Sequence, residues 1–370
     1  MKKLFLASAV SALFAAPATA LAQAKPAPVP TLDKVLEASG ISVSGYIDAG
    51  YTHSDGNVET AFSTRVFDSQ NNSFALHQFG LQVAKQPKEG FGGLVNITVG
   101  KDAQVIHSFP EFTTGTTGSM FDVTQAFLQY AGGPLTLIAG KYVTLQGSEV
   151  IWSPTNPNVS RSILFGAIPF THTGVRATWA LSDTVSLIAG VNNGWDQLTD
   201  ANKGKTLELG ATLNPIKPLS ITLSGYSGQE PTSATTNGTR TSLNAVASYT
   251  IIDPLSVGLE VLSVSQENAG GGTTKQKYSG VAGYVSYMFA PKFRGVARVE
   301  SFDDKDGFHF GTASTKYKEV TLTGSFLASD SFEARVEGRR DQATNPVFRD
   351  FANATSKTMT SIALQGLYKF

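Results

Sequence analysis

Residues 332–339 read FEARVEGR, and the reading of these eight positions decides the fold. Phe332, Ala334, Val336 and Gly338 alternate with Glu333, Arg335, Glu337 and Arg339. A period of two sends successive side chains to opposite faces of a strand. One face is then apolar and the other charged, as a sheet between lipid and water requires.

The same period runs outward from this segment in both directions. Ile41, Val43, Ile47, Ala49 and Tyr51 alternate with Ser42, Ser44, Tyr46, Asp48 and Thr52, and Val95, Ile97 and Val99 interleave with Asn96, Thr98 and Gly100. At the other end, Ile362, Leu364, Gly366, Tyr368 and Phe370 share one face. The connections alternate in length. Short turns at 86–90, 132–134, 181–184, 214–218, 252–254, 290–292 and 327–330 separate long polar stretches at 54–71, 104–119, 194–204, 228–240, 267–277, 303–316 and 341–356. Short turns on one rim and long loops on the other mark a transmembrane antiparallel up-and-down β-barrel, with short periplasmic turns and long extracellular loops. Counting the runs predicts about 16 strands over residues 41–370, an all-β fold. A soluble β-sandwich or solenoid is the competitor, since alternation alone does not separate lipid from a hydrophobic core. Aromatics beside the short turns weigh against it. Tyr130, Trp179, Tyr249, Phe289, Phe293, Phe326 and Phe332 fall on the apolar parity, as in a girdle at a membrane interface.

The chain opens with Met1-Lys2-Lys3, an apolar run from Leu4 to Ala16, and Ala20-Leu21-Ala22. That order predicts a signal peptide over 1–22, cleaved after Ala22. A Pro/Ala linker and a short helix over Thr31–Ala38 fill residues 23–40; the helix could brace or plug the periplasmic mouth, or fray as an extension. No later segment reaches eighteen consecutive apolar residues, so no transmembrane helix is expected. The 29 basic and 29 acidic side chains balance, which gives no basic stripe for nucleic acid. There is no cysteine, which excludes a small disulfide scaffold.

Charges on the water-facing parity are the pore-lining candidates: Asp48, Asp102, Arg176, Glu208, Glu260, Arg294, Arg298, Glu300, Glu319, Glu333, Arg335, Glu337 and Arg339. On the lipid face each would cost a few kcal/mol near the midplane. In the lumen they could sort permeants by their field, or form cross-strand ion-pair ladders that stiffen the wall. The longest connection, Val143–Thr171, carries Ile151, Trp152, Ile163, Leu164 and Phe165, and a long loop with apolar anchors packs or functions. We expect it to enter the barrel and set the constriction, with Glu149 and Arg161 facing the solute path; packing over the outer mouth or on a neighbouring subunit is the alternative. Tyr368 and Phe370 resemble the C-terminal signal for membrane insertion by the barrel-assembly machinery. The five histidines are scattered, with no Ser/His/Asp or metal-ligand spacing, and His172 reads as a hydrogen-bonded rim residue. Gly270-Gly271-Gly272 reads as a loop tip, not a phosphate loop.

Three segments, EASGISVSGYIDAGY (37–51), DVTQAFLQY (122–130) and NVSRSILFGAIPFTHTGV (158–175), resemble the OmpL-like putative outer-membrane β-barrel porin family. The resemblance implies the fold and a porin-like role, and no catalytic residue. Together with the patterning it leads us to expect an outer-membrane porin of a Gram-negative bacterium, passing small hydrophilic solutes by diffusion. We expect no enzyme activity, cofactor, metal or nucleic-acid partner; the partners are outer-membrane lipid, the solutes, and a possible homotrimer. A closed adhesin or scaffold barrel, or a barrel hydrolase, are the alternatives.

Overall fold

The computed structural model describes residues 31–56, 64–109, 118–233, 236–350, 352 and 354–370. The described residues fall into two units, 31–39 and 40–370. In the first, helix α1 (Leu32–Ser39) lies one residue beyond the expected span, and Ser39 Oγ donates to the Leu36 carbonyl at 2.8 Å. The expected signal peptide, 1–22, lies outside the described residues.

The second unit is a closed barrel whose strands pair antiparallel with their chain neighbours. They are β1 (Ser42–Ser54), β2 (Ser73–Lys85), β3 (Gly90–Val99), β4 (Phe121–Gly132), β5 (Leu135–Val143), β6 (Thr171–Ser182), β7 (Val185–Asn192) and β8 (Thr206–Ile216). The circuit continues through β9 (Leu219–Pro231), β10 (Asn237–Ile252), β11 (Leu255–Gln266), β12 (Gln276–Ala290), β13 (Phe293–Asp304), β14 (Thr315–Leu327) and β15 (Phe332–Ala343). A short ribbon, β16 (Phe348–Arg349) with β17 (Thr355–Ser356), sits in the last long loop, and β18 (Thr358–Lys369) pairs with β1 to close the wall. Sixteen strands form the barrel among the described residues, as the alternation predicts. Closure leaves no sheet edge, so the backbone polar groups are paired between strands as a hydrocarbon surround demands. Among the described residues no helix is long and apolar enough to cross a membrane.

The short turns fall where the sequence puts them. The loop expected over 228–240 is shorter, because β9 runs on to Pro231 and β10 starts at Asn237. Its Ser, Gly and Thr residues read as turn formers, yet the two strands stay paired as far as Pro231 and Asn237. Outward positions are apolar and exposed, including Phe74, Phe91, Leu128, Leu209, Phe289 and Leu322. The seven expected girdle aromatics all take outward positions, with Phe293 beside Phe326 across β13 and β14, ring centres 5.2 Å apart. At the seam, the Gly45 and Phe370 backbones exchange two hydrogen bonds at 2.8 and 2.9 Å. A Cβ on Gly45 would come within 2.5 Å of the Phe370 ring, so glycine there lets the last residue lie against β1.

Candidate functional site

The lumen is crossed by the connection between β5 and β6. A chain entering a barrel without regular structure brings backbone N–H and C=O groups that need partners. Here the inward charges of the wall supply them. Glu260 accepts from Ser148 N at 2.8 Å, and Glu300 accepts from Ile163 N and Leu164 N at 2.7 and 2.6 Å. Glu337 accepts from Val159 N and Ser160 N at 2.7 and 2.9 Å. On the donor side, Arg298 reaches the Ser160 carbonyl at 2.8 Å, Arg335 that of Asn158 at 3.3 Å, and Arg339 that of Arg161 at 2.5 Å. Loop side chains add to this: Gln146 donates to Ser242 Oγ at 2.9 Å and Asn158 to Thr323 Oγ1 at 2.7 Å. The loop therefore touches β10, β11, β13, β14 and β15, on the side of the barrel away from its own roots.

Within the loop, short local structures fit the route. Ser162 caps helix α2 (Ile163–Gly166), its Oγ accepting from Phe165 N at 3.0 Å. Gly147 adopts φ +98°, where a Cβ would meet Ile168 Cδ1 at 2.5 Å. Ile163, Leu164, Ala167 and Ile168 then bury against Leu262, Tyr278, Ala282 and Phe302 of the wall. The inner wall of β11–β13 is thus apolar toward the extracellular end and charged below it.

Glu149 and Arg161 do not face the solute path, contrary to expectation. Glu149 pairs with Arg298 at 2.6 Å and accepts from Ser162 N at 2.7 Å. Arg161 donates to the carbonyls of Val150 (3.0 Å), Ile151 (3.3 Å) and Val159 (3.2 Å), and its guanidinium lies 5.3 Å from the Phe67 ring centre. Both are nearly inaccessible, at 4% and 2% exposure. Buried charges require partners, and in these positions they knit the loop together.

All the pore-lining candidates are buried except Arg294, which is half-buried. Many form ion pairs: Arg176 with Glu208, Arg294 with Glu333, Arg335 with Glu333 (2.7 Å), and Arg298 with Glu319 (2.9 Å). Arg339 pairs with Asp341 at 2.7 Å, and Asp48 accepts from Gln365 at 2.8 Å. The arrangement has the form of the ion-pair ladder rather than a charged wall open to water. Asp102 is not on a strand: β3 stops at Val99 and Asp102 sits in a 3-10 turn, Lys101–Gln104. Its carboxylate accepts from Gln78 at 2.8 Å, and burial pushes its pKa up to about 7. His172 lies at the start of β6 and is hydrogen-bonded as expected, Nδ1 at 3.1 Å from the Gly194 carbonyl, but it is fully buried, its ring stacked on Tyr226.

Two further loops fold inward, which the polar reading of 54–71 and 104–119 misses. Phe67 and Ile106 close a cluster with Ile151 and Phe165. Arg65 pairs with Asp68 and donates to Ser361 Oγ at 2.5 Å on the wall. The signal is in the sequence: Val66-Phe67 and Val105-Ile106 are apolar pairs inside polar stretches. Among the described residues no group of three His, Asp or Glu side chains could hold a metal ion.

Beneath the loop lies a cavity of about 600 Å³. Val150, Ile151, Trp152 and Pro154 form one side, and Gln82, Asn96, Thr124 and Gln125 of β2–β4 the other.

A closed sixteen-strand barrel with an apolar exterior and an inward-folded loop defines the class as an outer-membrane β-barrel of porin type. Residues 40–370 match the family described as Putative beta-barrel porin-2, OmpL-like, and the chain belongs to that family. No curated relative matches it. Among solved structures it is similar to the outer membrane channel DcaP of Acinetobacter baumannii, at 15% identity and TM-score 0.60, covering 89% of this chain and 97% of that one. The anion-selective porin from Comamonas acidovorans is similar at 9% identity and TM-score 0.64, covering 89% and 99%. OmpT of Vibrio cholerae, solved in a trimer form, is similar at 11% identity and TM-score 0.60, also covering 89% and 99%. At these identities the likeness is one of fold. The family places the protein in the outer membrane as a porin.

Proposed function

We propose that the protein passes small hydrophilic solutes by passive diffusion, and that residues 144–170 set the constriction. The observation that carries this reading is the anchoring of that loop across the lumen by Glu260, Glu300, Glu337 and Arg298. Solutes would descend between the loop and the part of the β2–β4 wall that carries Gln82, Asn96, Thr124 and Gln125. Glu149 and Arg161 would act by holding the loop's shape. Deleting residues 157–168 should raise single-channel conductance in a planar bilayer. A barrel that passes no current in either form would instead be a closed adhesin or scaffold. As a passive conduit it should show only background lipase and peptidase activity in detergent.

The remaining expectations belong to the same proposal. Residues 1–22 would be removed in export, leaving a mature chain that starts near Gln23, which intact-mass analysis reads directly. Tyr368 and Phe370 would present the terminal strand to the assembly machinery. A homotrimer, the form in which OmpT of Vibrio cholerae was solved, would appear as a threefold native mass.

A further inference from the structure

We propose that the cavity under the loop is a subsite for uncharged polyhydroxylated solutes, sugars in chemical class. The proposal rests on the porin reading and narrows it. At about 600 Å³ the cavity lies within the usual 300–1,000 Å³ range of small-ligand sites.

Charge is the first argument. The wall acids and arginines nearest the loop are spent on its backbone and on each other, as described above. Lys369, at the periplasmic end, is the one charged side chain that lines the cavity among the described residues. An ion entering would shed water with little compensation, whereas a neutral solute would not meet that cost.

Hydrogen-bonding chemistry is the second. A sugar hydroxyl both donates and accepts, and a primary amide offers both functions on one side chain. The Gln82 side chain makes no hydrogen bond among the described residues and can use its whole amide. Gln125 spends only its oxygen, accepting from Val143 N at 3.3 Å, and Asn96 spends its nitrogen on the Leu81 and Ile97 carbonyls. The Gln125 amide nitrogen, with its two N–H donors, and the Asn96 amide oxygen remain on that pair.

Shape is the third. Opposite the amides stands the Trp152 indole, steadied by Tyr46, whose ring meets it edge-on at 4.5 Å. An indole face offers a flat apolar platform for the C–H side of a sugar ring while the amides take its hydroxyls.

The test uses glucose, glucuronate and glucosamine, one ring carrying three charges. Flux into proteoliposomes should be fastest for glucose and should saturate. Gln82→Leu should weaken saturation about fivefold, the equivalent of one neutral hydrogen bond of roughly 1 kcal/mol. In detergent, glucose should change the indole fluorescence, and that response should vanish in Trp152→Phe but persist in Trp179→Phe. KCl conductance is measured on the same preparations. A protein that binds glucose yet passes no KCl loses the porin reading and keeps the subsite. A protein that conducts KCl, passes all three solutes alike or prefers glucuronate, and shows no indole response overturns the subsite.

Discussion

Glu300 shows what a single wall residue does. Its two oxygens take the amides of Ile163 and Leu164, at the start of α2. Replacing it with alanine leaves two buried donors unpaired, at about 1–3 kcal/mol each. Hydrogen exchange at Ile163 and Leu164 should accelerate, and Glu300→Gln, which keeps an acceptor, should lie between alanine and wild type. If alanine leaves both amides equally protected, the carboxylate does not anchor the loop. Asp196, in the connection between β7 and β8, supports a second prediction. It accepts from Phe170 N and Thr171 N at 2.8 and 2.9 Å, and burial raises its pKa from 3.8 to about 7. An acid with a raised folded-state pKa holds its proton more tightly closed than open. Its contribution is therefore greatest below 3.8 and is lost as pH climbs to about 7. Exchange at Thr171 should quicken between about pH 4 and 7, after correction for the intrinsic rate, and Asp196→Asn should flatten that response.

Among the elements, β18 and the long loop make opposite demands. β18 closes the barrel against β1, and Phe370 packs outward beside Phe79 and Tyr368. Lys369 lies on the inward parity. Deleting Phe370, or replacing it with aspartate, should reduce membrane-inserted protein far more than Lys369→Ala, read as heat-modifiable mobility on gels. Equal losses would remove the seam argument. The loop depends on partners far away in sequence. Glu149 and Arg298 are 149 positions apart, and Arg161 and Arg339 are 178 apart. Local contacts such as the Ser162 cap, the Pro154 turn and the Asn156 hydrogen bonds to Val150 shape the loop but do not reach the far wall.

At the scale of the whole molecule, ladder and plug are separate layers. The ladder's hydrogen bonds run between strands, and the loop's run to inward side chains. Excising residues 157–168 should therefore leave strand amides protected and the barrel heat-modifiable while the lumen widens. Collapse of strand protection in that variant would mean that the loop is needed to hold the wall. Mixed signs inside also predict a small reversal potential under a KCl gradient, since field lines from paired charges end on one another.

The sequence by itself determined the wall. Alternation as in 332–339 is local, and a period of two needs no tertiary partner to declare its faces. Strand number, the outward aromatics and the inward parity of Arg298 or Glu337 follow from that rule and are found in the barrel. Tertiary structure alone decided what the inward charges meet. Asp102 left the strand pattern because β3 ends early, and Glu149 and Arg161 turned from the water because the loop's own amides and carbonyls, once inside, had to be paired. Parity says which way a side chain points; what stands opposite depends on closure and on the path of a loop 27 residues long, 144–170, and no local pattern encodes that path.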